Sequence, residues 1–111
     1  MIQSFNTYQQ QAMSTAVYPR IGHNISYPTL GLCGEAGELA NKVKKIYRDD
    51  KGVITQARRE ELIDELGDVL WYIAAMAHEL NISLSEVASR NIKKLNARRQ
   101  KNTLTGDGDS R

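Results

Sequence analysis

The feature that most constrains this chain is a single long apolar stripe. Between Thr55 and Leu80, Leu62, Leu66, Val69, Leu70, Ile73, Met76, Ala77 and Leu80 recur at helical spacing. No segment shows the strict alternation of a strand, so the chain is expected to be all-α. Four helices can be placed. The first spans about 7–18, with Asn6 as its cap and Pro19 closing it. The second starts near Pro28, capped by Ser26, and runs to about Arg48 with Leu32, Ala36, Leu39, Ala40, Val43 and Tyr47 on one face. Asp49-Asp-Lys-Gly52 is a turn, Thr55 caps the third helix and Asn81 ends it. The fourth opens on the capping box Ser83-Leu-Ser-Glu86 and runs to about Gln100, with Leu84, Val87, Ala88, Ile92 and Leu95 inward.

A chain of 111 residues fits one domain, spanning 1–111, with 101–111 expected to be a mobile tail. So short a chain buries a small fraction of its surface, and self-association is expected before any motif is read. Gly31, Gly34 and Gly37 are costly inside the second helix, at about 1 kcal/mol each against alanine. Either the helix starts later than Pro28, or the glycines admit a close neighbour.

The acids of the third helix carry the chemistry. Glu61, Asp64, Glu65 and Asp68 lie within an arc of roughly 100° bordering the apolar stripe. Glu35 and Glu38 border the apolar face of the second helix in the same way. A solvated acidic face is the ordinary meaning of such spacing. Against it, like charges three or four apart weaken a helix, and here they repeat beside the core with no lysine between them. A hard divalent cation relieves both penalties, and carboxylates suit Mg2+ or Mn2+. The Glu-x-x-His motif of di-iron bundles is absent, because Ala75 precedes His78 and Arg20 precedes His23 at that spacing. On the fourth helix Arg90, Asn91, Lys94, Arg98 and Lys101 share a face. Opposite an acidic metal site, such cations suit the phosphate oxygens that a metal leaves uncovered.

With these residues in hand, the chain resembles the MazG-like, all-α nucleoside triphosphate pyrophosphohydrolases. Glu35-Ala-Gly-Glu38, then 26 residues, then Glu65-Leu-Gly-Asp68 is similar to the family's ExxE…ExxD signature. LGLCGEAGELANKVKK and EELIDELGDVLWYIAAMAHELNISL are similar to its two metal-binding helices, and NIKKLNARR with TLTGDGD to the end of its compact members. The resemblance implies Mg2+ held by Glu35, Glu38, Glu65 and Asp68, with Glu35 and Glu38 also the candidate catalytic carboxylates. It places Asn91, Lys94 and Arg98 on the triphosphate. It further implies a homodimer or homotetramer, a four-helix-bundle core completed by dimerisation, and release of a monophosphate and pyrophosphate in nucleotide house-cleaning. Many relatives carry a second glutamate directly before the first motif, where this chain has Gly34. The number of metal ions and the identity of the base therefore stay open.

Trp71 lies off the main stripe, which suits either stacking on a nucleobase or a subunit contact. Tyr8 and Gln9 can reach the same pocket from the first helix. The glycine-containing tail can close over phosphates or stay disordered. A non-catalytic helical dimer that binds a partner through its acidic face is the alternative function. Single-stranded nucleic acid is a poor fit, because aromatics are 6% of the chain and the net charge is only +2. No apolar run approaches a membrane span, and MIQSFNTYQQQ lacks the regions of a signal peptide, so a cytoplasmic protein is expected. A single cysteine, Cys33, forms no intrachain disulfide, and with two histidines a zinc finger is excluded.

Overall fold

The chain was analysed as a computed structural model that describes residues 1–102, 105–106 and 108–109. The expectation of a mobile tail lies in part outside those residues. The architecture is all-α: α1 (Phe5–Ser14), α2 (Ser26–Asp49), α3 (Gln56–Glu79) and α4 (Leu84–Gln100).

Helix ends follow capping chemistry, with three departures from the sequence reading. Thr55 and Ser83 accept from the amides of Arg58 and Glu86, as expected. The first helix begins earlier, because Ser4 and not Asn6 caps it by accepting from Thr7 N. Asn6 instead reaches across the fold, its Oδ1 accepting from Ser85 N at 3.2 Å. The helix also ends at Ser14, well before Pro19. In α2, Ser26 is already helical, and Asn24 Oδ1 takes the Tyr27 amide at 3.1 Å.

The loop between α1 and α2 is held from a distance. Glu79 Oε1 accepts from the amides of both Gly22 and Asn24 at 3.1 Å. Gly22 sits at φ +89°, where a side chain would be strained.

α2 and α3 are an antiparallel pair in continuous contact. Thr29 meets Met76, Gly31 meets Tyr72, Lys42 meets Glu65 and Asp50 meets Arg58, so the partner number falls as the first rises. A Cβ at Gly31 would run into the Tyr72 ring, whereas Gly34 and Gly37 have open space where theirs would stand. Close approach thus explains one of the three glycines.

α1 covers another side of α3 through Ala12, Ala74 and Leu84, with Tyr8, Met13, Trp71 and Ile73 around them. Gln9 ties three elements together, donating to Ala74 O and Ile82 O and accepting from Leu84 N. α4 lies against α1 and α3, and its backbone does not approach that of α2.

The expected apolar faces are displaced. The seam from α2 uses Pro28, Glu35, Leu39, Lys42 and Ile46, while Ala36, Ala40, Val43 and Tyr47 are exposed. On α3 the most buried residues are Ala74 and Ala75, at 0%, while Leu66 is 55% and Leu80 59% exposed. α1 and α2 grip α3 from two flanks and leave Leu66 and Leu80 of its apolar stripe bare, while Val69, Leu70, Ile73 and Met76 are half-buried. Projected at 100° per residue, the bare strips of α2 and α3 fall on the same side of the antiparallel pair.

Candidate metal centre

The acids converge on the opposite side of that seam. A helix places residues three or four apart on one face, so Glu65 and Asp68 stand one turn apart on α3. Glu35 enters from α2 and shares a hollow with Asp68, Trp71 and Tyr72. One carboxylate oxygen from each of Glu35, Glu65 and Asp68 lies within 4.8 Å of the others. Glu38 stands one turn further along α2, exposed and outside that group. Asp64 is exposed, and Glu61 is taken up by Arg58, whose Nη1 donates to it at 3.2 Å.

Three carboxylates this close oppose one another, and their proton affinities record it. The Glu35 carboxyl is raised above the usual range, first because its protonated form hydrogen-bonds Glu65. Burial and the charges of Glu65, Asp68 and Glu38 add to the effect. Glu65 is lowered, first by the Lys42 ammonium, which donates to its Oε1 at 2.8 Å, and then by Glu35. Glu65 is only 8% exposed, and with Glu35 ionised its buried Oε2 has no hydrogen-bond partner. A buried carboxylate oxygen without a donor is costly. That orphaned oxygen, beside two further carboxylates, is what a divalent cation would complete. An all-oxygen donor set fits Mg2+ or Mn2+.

An aromatic wall adjoins the acids. Glu35, Asp68, Trp71 and Tyr72 line a hollow of about 260 Å³. Tyr72 stands edge-on to Trp71 at 5.0 Å and tilted to Tyr27 at 6.5 Å, and Tyr27 stacks on Tyr18 at 4.7 Å. Burial raises the phenols of Tyr8, Tyr18 and Tyr72, with the Asp68 charge adding at Tyr8 and Tyr72. Trp71 is fixed to α1, its Nε1 donating to Thr15 Oγ1 at 3.0 Å and Ala12 O at 3.2 Å. Its polar edge is thereby spent inside the fold. Gln9 is likewise spent on bracing the core. A larger hollow of about 720 Å³, lined by Phe5, Ala88 and Ile92 among others, holds no acid and lies on α4.

The basic residues are not brought to the acids within one chain. Lys94 Nζ and Arg98 Nη2 both donate to Asp109 Oδ1, at 3.0 and 2.9 Å, and these two cations hold the Asp109 carboxyl down to about 2. Arg90 pairs with Glu86 one turn back, and Asn91 is exposed. His78 is exposed as well, and Glu35, Glu65 and Asp68 are the one metal-suited cluster among the described residues.

Sequence reasoning missed Lys42, Tyr18 and Tyr27. Lys42 was legible in principle, because it follows Glu35 by seven residues, two turns along the same face of α2. Tyr18 lies beyond α1, and its stack on Tyr27 leaves no periodic signal.

The chain is 51% identical over 109 residues to the Gene 37 protein of Mycobacterium phage L5, covering 94% of this chain and 96% of that protein. It is 39% identical over 72 residues to the uncharacterized protein YvdC of Bacillus subtilis (strain 168), covering 60% and 68%. A second protein of that organism, the uncharacterized YpjD, is 36% identical over 67 residues, 60% of each chain. No solved structure matches. None of the helices is long and apolar enough to cross a membrane, among the described residues. Residues 26–103, which hold both acid pairs and the basic helix, match the model of the MazG nucleotide pyrophosphohydrolase domain, and the chain belongs to that family.

Proposed function

We propose that this protein hydrolyses nucleoside triphosphates, deoxynucleotides or altered nucleotides foremost, to the monophosphate and pyrophosphate in a Mg2+-dependent reaction. The observation that carries this reading is the carboxylate trio with its orphaned, buried Glu65 oxygen. Glu35, Glu65 and Asp68 would hold the ion, with Glu38, one turn along α2, as a fourth ligand or a base. When bound, a divalent cation polarises a phosphoryl oxygen and lowers the pKa of a water.

The chain's own groups supply the rest. Glu35 and Glu38 are the carboxylates placed to accept a proton from water, at an oxygen that the ion leaves free. Lys94, Arg98 and Asn91 would bind the phosphates, the guanidinium with two donors. Tyr72 and the exposed edge of the Trp71–Tyr27 wall would flank the base.

The active form is proposed to be a homodimer or homotetramer in which a second copy covers the bare strips of α2 and α3. Three observations support it. Tyr47 is 72% exposed, and with Val43 and Leu66 it borders a face that one chain leaves uncovered. The 260 Å³ hollow is smaller than the roughly 300–1,000 Å³ of a complete small-molecule site. Cations and acids that belong to one reaction do not meet within one chain.

The test is hydrolysis of ribo- and deoxynucleoside triphosphates with Mg2+ and then with EDTA, resolving monophosphate, diphosphate and pyrophosphate. Monophosphate with pyrophosphate, lost on chelation, is the expected result. Diphosphate with phosphate would keep the metal site and overturn the reaction. No turnover would favour a non-catalytic helical dimer.

A further inference from the structure

We infer that Lys42 is a positioning residue that reserves one oxygen of Glu65 and so confines the centre to a single tightly held divalent ion per chain. The inference rests on the metal-site reading above and adds the stoichiometry of that site.

The argument starts from what a second ion would need. Two-metal phosphoryl centres hold their ions about 3.5–4 Å apart. At that spacing a carboxylate bridges them by giving one oxygen to each. Glu65 is the most buried of the three converging acids and the natural bridge, yet its oxygens are already divided. Oε1 accepts from the Lys42 ammonium at 2.8 Å, and Oε2 alone is without a partner. A second ion on Oε1 would have to displace an ammonium that is itself only 27% exposed. It would also have to stand beside that positive charge, in a setting where charges interact more strongly than in water.

The next acid along α3 tells the same story. Glu61, one turn before Glu65, would be the further ligand of an ion on the Lys42 side. Its Oε2 accepts from Arg58 Nη1 at 3.2 Å, and Arg58 is held in turn by Asp50 at 2.8 Å. Two cationic side chains therefore occupy the oxygens that a second ion would take. Lys42 comes from α2 and Arg58 from α3, so the two sides of the seam agree. At the other end of the cluster, no such cation pairs with Glu35 or Asp68 among the described residues, and that is where the single ion belongs. With Oε1 fixed by the lysine, Glu65 presents a single oxygen in a set orientation, which is how an outer partner tunes a metal ligand.

The experiment is a Mn2+ titration of the full-length protein without nucleotide, followed by electron paramagnetic resonance, on the wild type, Lys42→Gln and Lys42→Arg. Circular dichroism melts would check that each variant is folded. The expected result is one tight ion per chain in the wild type. Lys42→Gln should bind a second, with the broadened spectrum of two coupled spins. Lys42→Arg, which restores a cation on Oε1, should return the count to one. Two coupled ions in the wild type would overturn the inference and leave the metal centre standing. So would an unchanged single ion in folded Lys42→Gln. If the wild type binds no Mn2+ at all, the metal-site reading falls with it. Lys42→Met, which also leaves Oε1 without a cation, should likewise bind a second ion and decides the matter if Lys42→Gln does not fold; a single ion in folded Lys42→Met overturns the inference.

Discussion

The seam between α2 and α3 and the arm formed by α4 carry opposite charges and opposite degrees of completion. In the seam, Glu35, Glu65, Asp68 and Lys42 come from two helices in close antiparallel register, and each constrains the next. On the arm, Lys94 and Arg98 come from one helix that touches its own chain mainly near Leu84, and the acid they hold belongs to the tail. Val87, Ile92 and Leu95 on the same helix are exposed. The contrast teaches that packing between helices, and not burial of one side chain, separates a site that one chain can build from a half-site, since Arg98 is itself only 5% exposed. Packing α2 on α3 fixes carboxylates at distances where they must bind or repel. A helix packed along only part of its length fixes nothing beyond its own face.

The strongest way to break the comparison is at the seam. Asp68→Asn should lower triphosphate hydrolysis by about 10²–10³-fold, as expected for loss of a preorganised electrostatic group. Asp64→Asn, on the same helix but turned outward, should leave it nearly unchanged. If steady-state assays show both variants equally active, the seam is not the reaction centre.

The arm is tested by complementation. Arg98→Ala and Asp68→Asn should each be inactive alone. If a second copy supplies the cations, mixing equal amounts after subunit exchange should restore about a quarter of wild-type activity, because half the dimers are mixed and each mixed dimer has one intact site. If acids and cations act within one chain, mixing restores nothing, and α4 must then swing towards its own α2.

A third prediction concerns protons. Glu35 is raised in the folded chain, so its protonated form favours folding. That contribution is present below the ordinary carboxylate value of 4.5 and is lost as pH rises through the raised one. Glu65 is lowered, so its contribution is present above 4.5 and is lost as pH falls through its depressed value. Metal must displace the Glu35 proton. Mg2+ affinity, read by calorimetry, should therefore climb by at most about tenfold per pH unit and level off above the raised Glu35 value. A flat profile across the carboxylate range would mean that Glu35 is not a ligand.

The smallest effect concerns the glycines of α2. Gly34→Ala meets open space in the single chain and should stabilise it by about 0.5–1 kcal/mol. Gly31→Ala should instead cost about 1–3 kcal/mol, because the new methyl group overlaps the Tyr72 ring. Denaturant melts separate the two. A destabilised Gly34→Ala would place a second copy against that glycine.

Much of this was readable from residues alone. The four helices, the Thr55 and Ser83 caps and the two acid pairs all follow from local spacing, since a helix fixes which neighbours share a face whatever surrounds it. Charge frustration among Glu61, Asp64, Glu65 and Asp68 was visible for the same reason. The start of α1 was misjudged because Ser4 and Asn6 are equally good caps locally, and only the reach of Asn6 to Ser85 separates them. Trp71 was left between base and interface because its tether to Ala12 and Thr15 joins residues far apart in sequence.

What the sequence determined by itself, then, is which side chains can act together along each helix: the acids of α2, the acids of α3 and the cations of α4. The tertiary structure decided which of those sets meet. Antiparallel packing brought Glu35 onto Glu65 and gave Lys42 to the same carboxylate, while the short reach of α4 kept Lys94 and Arg98 away. It also turned part of each apolar stripe outward, because α3 can be gripped from only two sides by its own chain. Periodicity specifies a face but not its partner, and the partner is set by how the helices cross.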